Sequence, residues 1–152
     1  MSEPQFRAAR IDDLPAIVAL IVDDEYASGG DDPTLPLDPR YEAAFARIAA
    51  SPDTLLVVGE LEGRVVATLQ LTFLQGLSGH GARRANVETV KVASDRRGRR
   101  IGAKMLAWAL DRAREAGCAS AQLTSNALRL DAHRFYRNLG WKQSHAGFKI
   151  TL

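Results

Sequence analysis

Hydrophobic and polar positions in the first third of the chain follow first a strand period and then a helix period. The segment Phe6–Ala9 has the alternation of a strand. Apolar residues at helical spacing follow, with Asp12 or Asp13 placed to cap the helix and a proline in its first turn. Residues 26–40 are rich in glycine and proline and predict a loop, and Tyr41–Ala50 predicts a second helix. The chain is therefore predicted to begin with one strand and two helices.

The rest of the sequence predicts strands that alternate with two further helices. The predicted strands are Leu55–Gly59, Val65–Phe73, Asn86–Ala93 and Ser120–Thr124, then a terminal hairpin of Trp141–His145 and Phe148–Leu152. The predicted helices cover residues 101–116, with Gly117 just past the end, and Asp131–Leu139. The order β-α-α-β-β-β-α-β-α-β-β predicts one α/β (α+β) domain over residues 1–152. Its sheet is expected to be mixed and mostly antiparallel, with helices on both faces.

Composition narrows the class of protein without identifying it. The chain has 152 residues, 46% hydrophobic and 25% charged, as in an ordinary globular domain. A net charge of +2 is too small to predict nucleic-acid binding, and no apolar run has the length of a membrane span. The N-terminus has no signal segment, so we expect a cytoplasmic protein. The single cysteine, Cys118, allows neither an internal disulfide nor a multi-cysteine metal site, and no metal is predicted.

The distribution of charge is more informative than its sum. Basic residues crowd positions 96–104, whereas Asp23, Asp24, Glu25, Asp31 and Asp32 cluster nearer the N-terminus. A basic cofactor site and an acidic entrance for a substrate would produce this asymmetry. A solvated acidic loop explains residues 23–32 equally well, and the sequence leaves both interpretations open.

The segment Val90–Met105 carries the clearest chemistry. A strand leads into a loop of arginine and glycine, which opens directly into an amphipathic helix. The free N–H groups and positive dipole end of such a helix bind phosphate. The residues that add positive charge here are Arg96, Arg97, Arg99, Arg100 and Lys104. The segment therefore predicts a polyphosphate site, although it contains neither a Walker A sequence nor a dinucleotide-binding fingerprint.

Two motifs resemble those of the GNAT superfamily of N-acyltransferases. Residues 97–103 resemble its acyl-CoA pyrophosphate loop, Gln/Arg-x-x-Gly-x-Gly/Ala, with Arg97 first and Gly102 last. Arg100 departs from the pattern, because it stands where the first pattern glycine usually lies. Residues 131–141 resemble the later signature Ala-x-x-Phe-Tyr-x-x-x-Gly-Phe, with Trp141 in the final position. The motifs are separated by a helix and a strand, as in the family, and the resemblance spans residues 85–142.

The resemblance implies an N-acetyltransferase that uses acetyl-CoA. It implies that the pantetheine arm lies between two splayed strands, which end at Val92 and Ser125, and pairs with main-chain groups around Val90 and Val92. The residues implied to hold the pyrophosphate are Arg97, Gly98, Arg99, Arg100, Gly102 and Ala103. Asn126, just after the second strand, is either a hydrogen-bond partner of the arm or a turn residue, and both interpretations remain open.

Two side chains are the candidates for acid–base catalysis. The resemblance gives Tyr136 the role of general acid, because a phenol stays protonated at neutral pH and can donate to the departing thiolate. The alternative is a tyrosine that only packs. Glu88 is the candidate base, and strict alternation places Val90 and Val92 on its face of the strand. A paired carboxylate at the sheet margin, with water as the base, is the alternative. His133 lies one turn before Tyr136 and is either a proton carrier or a surface residue.

The acceptor is not specified by the sequence. We expect a small-molecule or peptide amine, bound in a pocket shaped by residues 23–40 and 74–84, and neither a membrane nor a nucleic-acid partner. A homodimer is left open. The rival function, from a different class, is a non-catalytic acyl-CoA-binding module that senses the cofactor or docks to a partner. A phenol at position 136 argues against that rival, because a sensor needs no donor for a thiolate.

Overall fold

Antiparallel pairing of consecutive strands builds the sheet in the computed structural model, which describes residues 2–27 and 29–152. The strands are β1 (Gln5–Ala8), β2 (Thr54–Leu61), β3 (Arg64–Gln75), β4 (Arg83–Val92) and β5 (Ser120–Leu123). Their order in the sheet is the order in the chain, and the pairs β1–β2, β2–β3 and β3–β4 are antiparallel. The chain divides into two compact units, one up to Gln122 and one over Leu123–Leu152.

In residues 2–27 and 29–152, five α-helical segments lie between or after these strands. They are α1 (Leu14–Val22), α2 (Pro39–Ala50), the single turn α3 (Ser78–Gly81), α4 (Ile101–Glu115) and α5 (Leu130–Asn138). Short 3₁₀ turns precede α1 and follow β4. Every helix predicted from the sequence is present, and its ends lie within a few residues of the predicted ones.

The centre of β3 shows that both faces of the sheet are covered. Val66, Ala67 and Leu69 have 0% exposure and Thr68 has 1%. Successive side chains of a strand point to opposite faces, so continuous burial requires a layer on each side. The hydroxyl of Thr68 donates to the carbonyl of Val57 (2.8 Å), which satisfies the polar group inside this core. The predicted fold class, a mostly antiparallel sheet covered by helices, is confirmed.

The C-terminal end of α4 has the predicted glycine. Gly117 has φ of +80°, a left-handed conformation that glycine adopts without a Cβ clash. The N–H of Cys118 then donates to the carbonyl of Ala113 (3.0 Å), and that of Gly117 to the carbonyl of Arg114 (3.0 Å). These two bonds form a Schellman motif, which satisfies the last carbonyls of the helix.

The predicted terminal hairpin is not formed. The described residues after α5, from 139 to 152, contain no strand. Two strands paired only with each other are marginal in water and need a further neighbour to stabilise them. Phe148, Ile150 and Leu152 are exposed in the described structure, the first two at 96% and 83%. Their alternation has the period of a strand, but the period alone does not provide a neighbouring strand to pair with.

A charged cluster ties β1 to the start of α1. Arg7 binds Asp13 through both guanidinium nitrogens (2.7 and 3.1 Å) and also Glu60 (2.9 Å). Asp13 precedes α1, but its carboxylate accepts from Arg7 and from the N–H of Arg10 (2.7 Å) and caps no N–H of α1. The hydrogen bond from Arg7 lowers the pKa of this carboxyl, which is only 8% exposed.

We expect Asp13→Asn to lower the free energy of unfolding at neutral pH by about 2 kcal/mol, because the substitution removes a charge-assisted bond. A lowered folded-state pKa stabilises the protein above the unfolded value of ~3.9 and ceases to do so as pH falls through the folded value. The difference between wild type and variant in urea unfolding should therefore shrink under acid. Asp12→Asn, at an exposed neighbouring position, is the matched control. A constant difference down to the acid range would contradict this account.

Candidate active site

The loop between β4 and α4 bends through two left-handed residues. A 3₁₀ turn over Ser94–Arg96 leads to Gly98 with φ of +79° and Arg100 with φ of +62°, and α4 starts at the next residue. No side chain caps α4, and its first intrahelical bond runs from the N–H of Lys104 to the carbonyl of Arg100 (3.0 Å). The N–H groups of the first turn, which contains Gly102 and Ala103, are therefore available to an anion.

Arg100, the one departure from the family pattern, keeps the backbone conformation that the pattern requires. Its backbone has the left-handed conformation that explains why glycine is usual there. A side chain in this conformation costs roughly 1–2 kcal/mol. The turn is thus retained despite the substitution, and an exposed guanidinium is added beside the first turn of α4.

Only some of the cations near the loop are free of carboxylates. Arg96 binds Asp95 (3.1 Å), and Lys104 binds Glu3. In contrast, three arginines are exposed and form no ion pair with any described residue: Arg97, Arg99 and Arg100. Two of the five cations that add charge here therefore already have a carboxylate partner, and the contacts of any of the five with phosphate stay a prediction. Three adjacent guanidinium groups without a carboxylate partner remain beside the helix start, and that of Arg97 donates to the carbonyl of Asp23 (3.4 Å).

The acidic residues after α1 are largely engaged within the protein. Asp24 forms a buried ion pair with Lys91 of β4, and their side chains are 6% and 16% exposed. Asp23 accepts from the N–H of Ser94 (3.4 Å). Asp31 accepts from the hydroxyl of Tyr41 (2.7 Å), and Asp32 accepts from the hydroxyl of Thr34 (2.6 Å). These bonds connect the acidic segment to β4, to the cofactor loop and to α2. Because most of these carboxylates already have partners in the protein, the interpretation of the segment as an acidic entrance for a substrate is weakened.

A β-bulge interrupts β4 before the loop. Gln70 of β3 pairs with Glu88, whereas Thr68 pairs with Lys91, so one β3 residue lies opposite two residues of β4. The two are Thr89 and Val90, and Thr89 has φ of +53°. A left-handed backbone is a genuine outlier for a β-branched residue. Such outliers concentrate at functional sites, and the bulge redirects the end of β4.

The bulge changes which residues share a face. Directly paired residues lie on the same face, and Gln70 and Thr68 are two positions apart, so Lys91 shares the face of Glu88. Val92 pairs with Ala67 and lies on the opposite face. The prediction that Val92 shares the face of Glu88 is therefore wrong, because alternation holds only where each residue has one partner. Val90 lies within the bulge and has no directly paired residue, so its place on the face of Glu88 stays a prediction. No feature of the sequence indicated the bulge.

The face that carries Glu88 is polar along the middle of the sheet. Asn86 and Glu88 of β4 pair with Thr72 and Gln70 of β3. Glu88 is exposed, and no hydrogen bond or ion pair joins its carboxylate to any described residue. Asp24 reaches Lys91 from the end of α1 on this same face. A carboxylate exposed on a polar strip beside the bulge can take part in proton transfer.

Tyr136 lies on α5 in the C-terminal unit. Its ring meets Phe135 and Trp141 edge-on, at centroid distances of 5.3 and 6.1 Å. Burial raises the pKa of the phenol, and Arg129 opposes the shift less strongly. Within residues 2–27 and 29–152, the hydroxyl has no hydrogen-bond partner. The structure therefore holds a neutral phenol by ring packing while its proton remains free to be donated.

Asn126 and His133 stabilise the turn before α5. The side-chain oxygen of Asn126 accepts from the N–H of Leu128 (2.9 Å), and its carbonyl accepts from the N–H of Arg129 (3.0 Å). His133 donates through Nε2 to the same carbonyl (2.9 Å), which fixes its tautomer. Asn126 is thus a turn residue, and its binding to the pantetheine arm stays a prediction. The Nε2–H group of His133 is therefore engaged in stabilising the turn.

Comparison with known proteins identifies the class. The model of the acetyltransferase (GNAT) family matches residues 14–141, and the chain belongs to this family. It is an acetyl-CoA-dependent N-acetyltransferase. No group of three or more histidine, cysteine or acidic residues in the described part of the chain is arranged to hold a metal ion. In the same part, no helix has the length and apolar character needed to span a membrane.

Three relatives illustrate the similarity. The chain is 31% identical over 151 residues to the aminoalkylphosphonate N-acetyltransferase of Salmonella typhimurium, covering 97% of this chain and 91% of the relative. A crystal structure from Bacillus halodurans, described as a transcriptional regulator, superposes with a TM-score of 0.95 at 36% identity, covering 99% and 100% of the two chains. A putative acetyltransferase from Agrobacterium tumefaciens has a TM-score of 0.83 at 29% identity, covering 97% and 99%.

Proposed function

We propose that this protein transfers the acetyl group of acetyl-CoA to the primary amine of a small molecule of the aminoalkylphosphonate type. Transfer occurs by direct attack of the amine on the thioester in a ternary complex. The observation that carries the proposal is the cofactor loop, where three arginines without a carboxylate partner among the described residues adjoin a helix start that no side chain caps. The acceptor class is proposed from the activity that the Salmonella typhimurium relative is named for.

The pyrophosphate of the donor is proposed to bind at the start of α4. Its oxygens accept from the first-turn N–H groups of Ile101, Gly102 and Ala103, while Arg97, Arg99 and Arg100 neutralise the charge. The left-handed Gly98 lets the loop turn without a Cβ beside the anion. The fit is chemical as well as geometric, because guanidinium groups and backbone N–H groups are the donors that a polyphosphate requires.

The bulge is proposed to receive the pantetheine arm. Thr89 and Val90 lie opposite a single residue of β3, so the regular pairing of β4 is interrupted there. Main-chain groups around Val90 and Val92 then pair with the amides of the arm as an added strand would. A backbone N–H at the same place donates to the carbonyl oxygen of the thioester and stabilises the negative charge that develops during attack.

Acetyl transfer then needs a sequence of proton movements. The ammonium first gives one proton to Glu88 or to water, which frees the nitrogen lone pair to attack the thioester carbon. The carbon–sulfur bond breaks as the carbonyl re-forms, and Tyr136 donates its phenolic proton to the departing thiolate. The nitrogen loses its second proton as the amide forms, and that proton, directly or through water, restores the phenol. The raised pKa of Tyr136 keeps that proton in place at neutral pH. The products are the N-acetylated acceptor and free CoA.

A paired assay tests the function. Purified protein is incubated with acetyl-CoA and aminoalkylphosphonates, and free thiol and N-acetyl product are both measured. The matched controls are an alkylphosphonate without the amine and an alkylamine without the phosphonate. We expect one thiol per N-acetyl product and initial-rate lines that intersect, as for a ternary complex. Parallel lines would contradict direct attack, and turnover of the alkylamine alone would contradict the acceptor class.

The role of Glu88 gives a separate prediction. An alkylammonium acceptor with pKa near that of lysine, ~10.4, is almost wholly protonated at neutral pH and cannot attack. We expect Glu88→Gln to retain acetyl-CoA binding and to lower kcat/KM by about 10²-fold near neutral pH. Raising the pH should restore part of the loss, because more acceptor is then neutral. Glu62→Gln, in the exposed turn between β2 and β3, is the control. A variant that follows wild type at every pH assigns deprotonation to water.

A further inference from the structure

The face of the sheet that carries Glu88 has a row of polar side chains without partners in the described part of the chain. Arg84, Asn86 and Glu88 follow one another along this face of β4, and Gln70 and Thr72 lie beside them on β3. Gln70, Thr72 and Asn86 are half-buried, whereas Arg84 and Glu88 are exposed. None of the five side chains forms a hydrogen bond or an ion pair within residues 2–27 and 29–152. Their donors and acceptors are therefore free to bind a polar ligand.

Arg84 differs from the other basic residues of the two strands. Three of the four basic residues of β3 and β4 have a carboxylate partner, in the pairs Arg64–Asp95, Arg83–Asp53 and Lys91–Asp24. Arg84 has no such partner among the described residues. Its guanidinium lies at the end of the strand pair, where a Cβ on Gly76 would be 3.9 Å from Nη2. An arginine in this state offers its planar fork of N–H groups to an oxyanion.

Arg84 and Glu88 lie at a separation that suits a short acceptor with two charges. The bulge begins only after Glu88, so four residues of regular strand place the two α-carbons about 13 Å apart. Asn86 lies midway between them on the same face. When the arginine side chain turns from Gly76 towards Asn86, its guanidinium comes closer to the carboxylate of Glu88. The row then has a cation at one end and a carboxylate at the other, beside the bulge.

We propose that Arg84 binds the phosphonate of the acceptor and thereby directs its amine towards Glu88 and the bulge. This inference rests on the acceptor class proposed above. The amide of Asn86 and the hydroxyl of Thr72 donate to the remaining phosphonate oxygens. The charges are complementary, because the guanidinium meets the phosphonate and the carboxylate meets the ammonium. An amine without an acidic group gains nothing from Arg84, so this residue determines the preference for anionic amines.

Matched arginine variants test the assignment in the acetyl-transfer assay. Arg84→Gln should raise KM for an aminoalkylphosphonate by about tenfold or more, because it removes a charge-assisted hydrogen bond. The kcat should change by less than about threefold, since the phosphonate does not react. Arg84→Lys keeps the charge but loses the fork, so its KM should lie between the two. Arg47→Gln removes an exposed arginine of α2 that also has no carboxylate partner among the described residues, and it should leave KM unchanged.

A neutral diester of the same aminoalkylphosphonate separates charge from shape. The diester keeps the amine and the alkyl chain but presents no anion to Arg84. We expect Arg84→Gln to change kcat/KM for the diester by less than about twofold, against tenfold or more for the free acid. Equal losses for the acid and the diester would overturn the assignment, because Arg84 would then act on the fold or on the amine. The melting temperature of each variant checks the fold directly.

Binding of an alkylphosphonate without an amine tests the site apart from catalysis. Calorimetric titration of the CoA-bound protein should show binding to wild type and at least tenfold weaker binding to Arg84→Gln, with an unchanged Kd for CoA. Failure of wild type to bind the alkylphosphonate would overturn the assignment. Acetylation of aminoalkylphosphonates with equal KM in wild type and Arg84→Gln would also overturn it and would leave the proposed function intact. Arg84-dependent binding without any acetylation would contradict the proposed function and support the anion site.

Discussion

Replacing Tyr136 with phenylalanine is expected to lower kcat for acetyl transfer by about 10²–10⁴-fold, the range typical of a positioned general acid. The Kd of acetyl-CoA should stay within about twofold, because the hydroxyl acts mainly after the thiolate begins to form. Phenylalanine keeps the edge contacts with Phe135 and Trp141, so the melting temperature should be nearly unchanged. Steady-state rates and equilibrium binding of acetyl-CoA give the two constants separately.

The matched control for this prediction is Tyr41→Phe. Tyr41 also loses a phenolic hydroxyl, one that donates to Asp31 on the surface (2.7 Å), so it controls for general effects of the substitution. A donor with a more acidic thiol needs less protonation on departure, so its rate should fall less in the Tyr136 variant. Values of kcat within twofold of wild type for both donors would reduce Tyr136 to a packing residue.

Reversing the charge of Arg97 is expected to weaken CoA binding by about 10–100-fold, the scale of one charge-assisted hydrogen bond. Arg97 is one of the three loop arginines that no carboxylate neutralises, and a glutamate there adds repulsion to the lost bond. The loss should become smaller as salt is added, because exposed charges are screened. Calorimetric titration with CoA at two ionic strengths measures both effects.

Lys104→Glu separates contact from net charge. This variant makes the same change of charge in the first turn of α4, at a residue already paired with Glu3. We expect it to weaken CoA binding by less than about threefold, through long-range electrostatics alone. Equal losses in the Arg97 and Lys104 variants would show that the loop attracts CoA only by its total charge. The assignment of Arg97 to a phosphate contact would then fail.

Local patterns predicted most of the fold and the position of the cofactor loop. Helix and strand periods are properties of neighbouring residues, and so are the glycines and arginines of the loop. The left-handed backbone at Arg100 could also be expected from the sequence, because Arg100 occupies a pattern position that glycine usually holds. The GNAT resemblance supplied the role of Tyr136, whereas the role of Glu88 was inferred from its place on the strand that leads into the loop, and both roles remain predictions.

Features set by distant parts of the chain were not predictable. The ion pair of Asp24 with Lys91 joins residues 67 positions apart, and the partner of Lys104 is 101 positions away. Neither ion pair is indicated by the local sequence. The number of loop cations without a carboxylate partner could therefore not be predicted from the sequence. The terminal hairpin failed for a related reason, since the alternation of Phe148 and Ile150 does not specify a neighbour.

The bulge at Thr89 allows folding and catalysis to be separated at one position. A chain without residue 89 would place Val90 opposite Leu69 and would keep Lys91 and Val92 with their present partners. The side chains that are directly paired would retain their faces, and the left-handed backbone at Thr89 would be removed. We expect such a shortened protein to be at least as stable as the natural one and a poorer enzyme, which its melting temperature and its kcat would show separately. On that expectation, residue 89 is present for catalysis and lowers the stability of the strand that contains it.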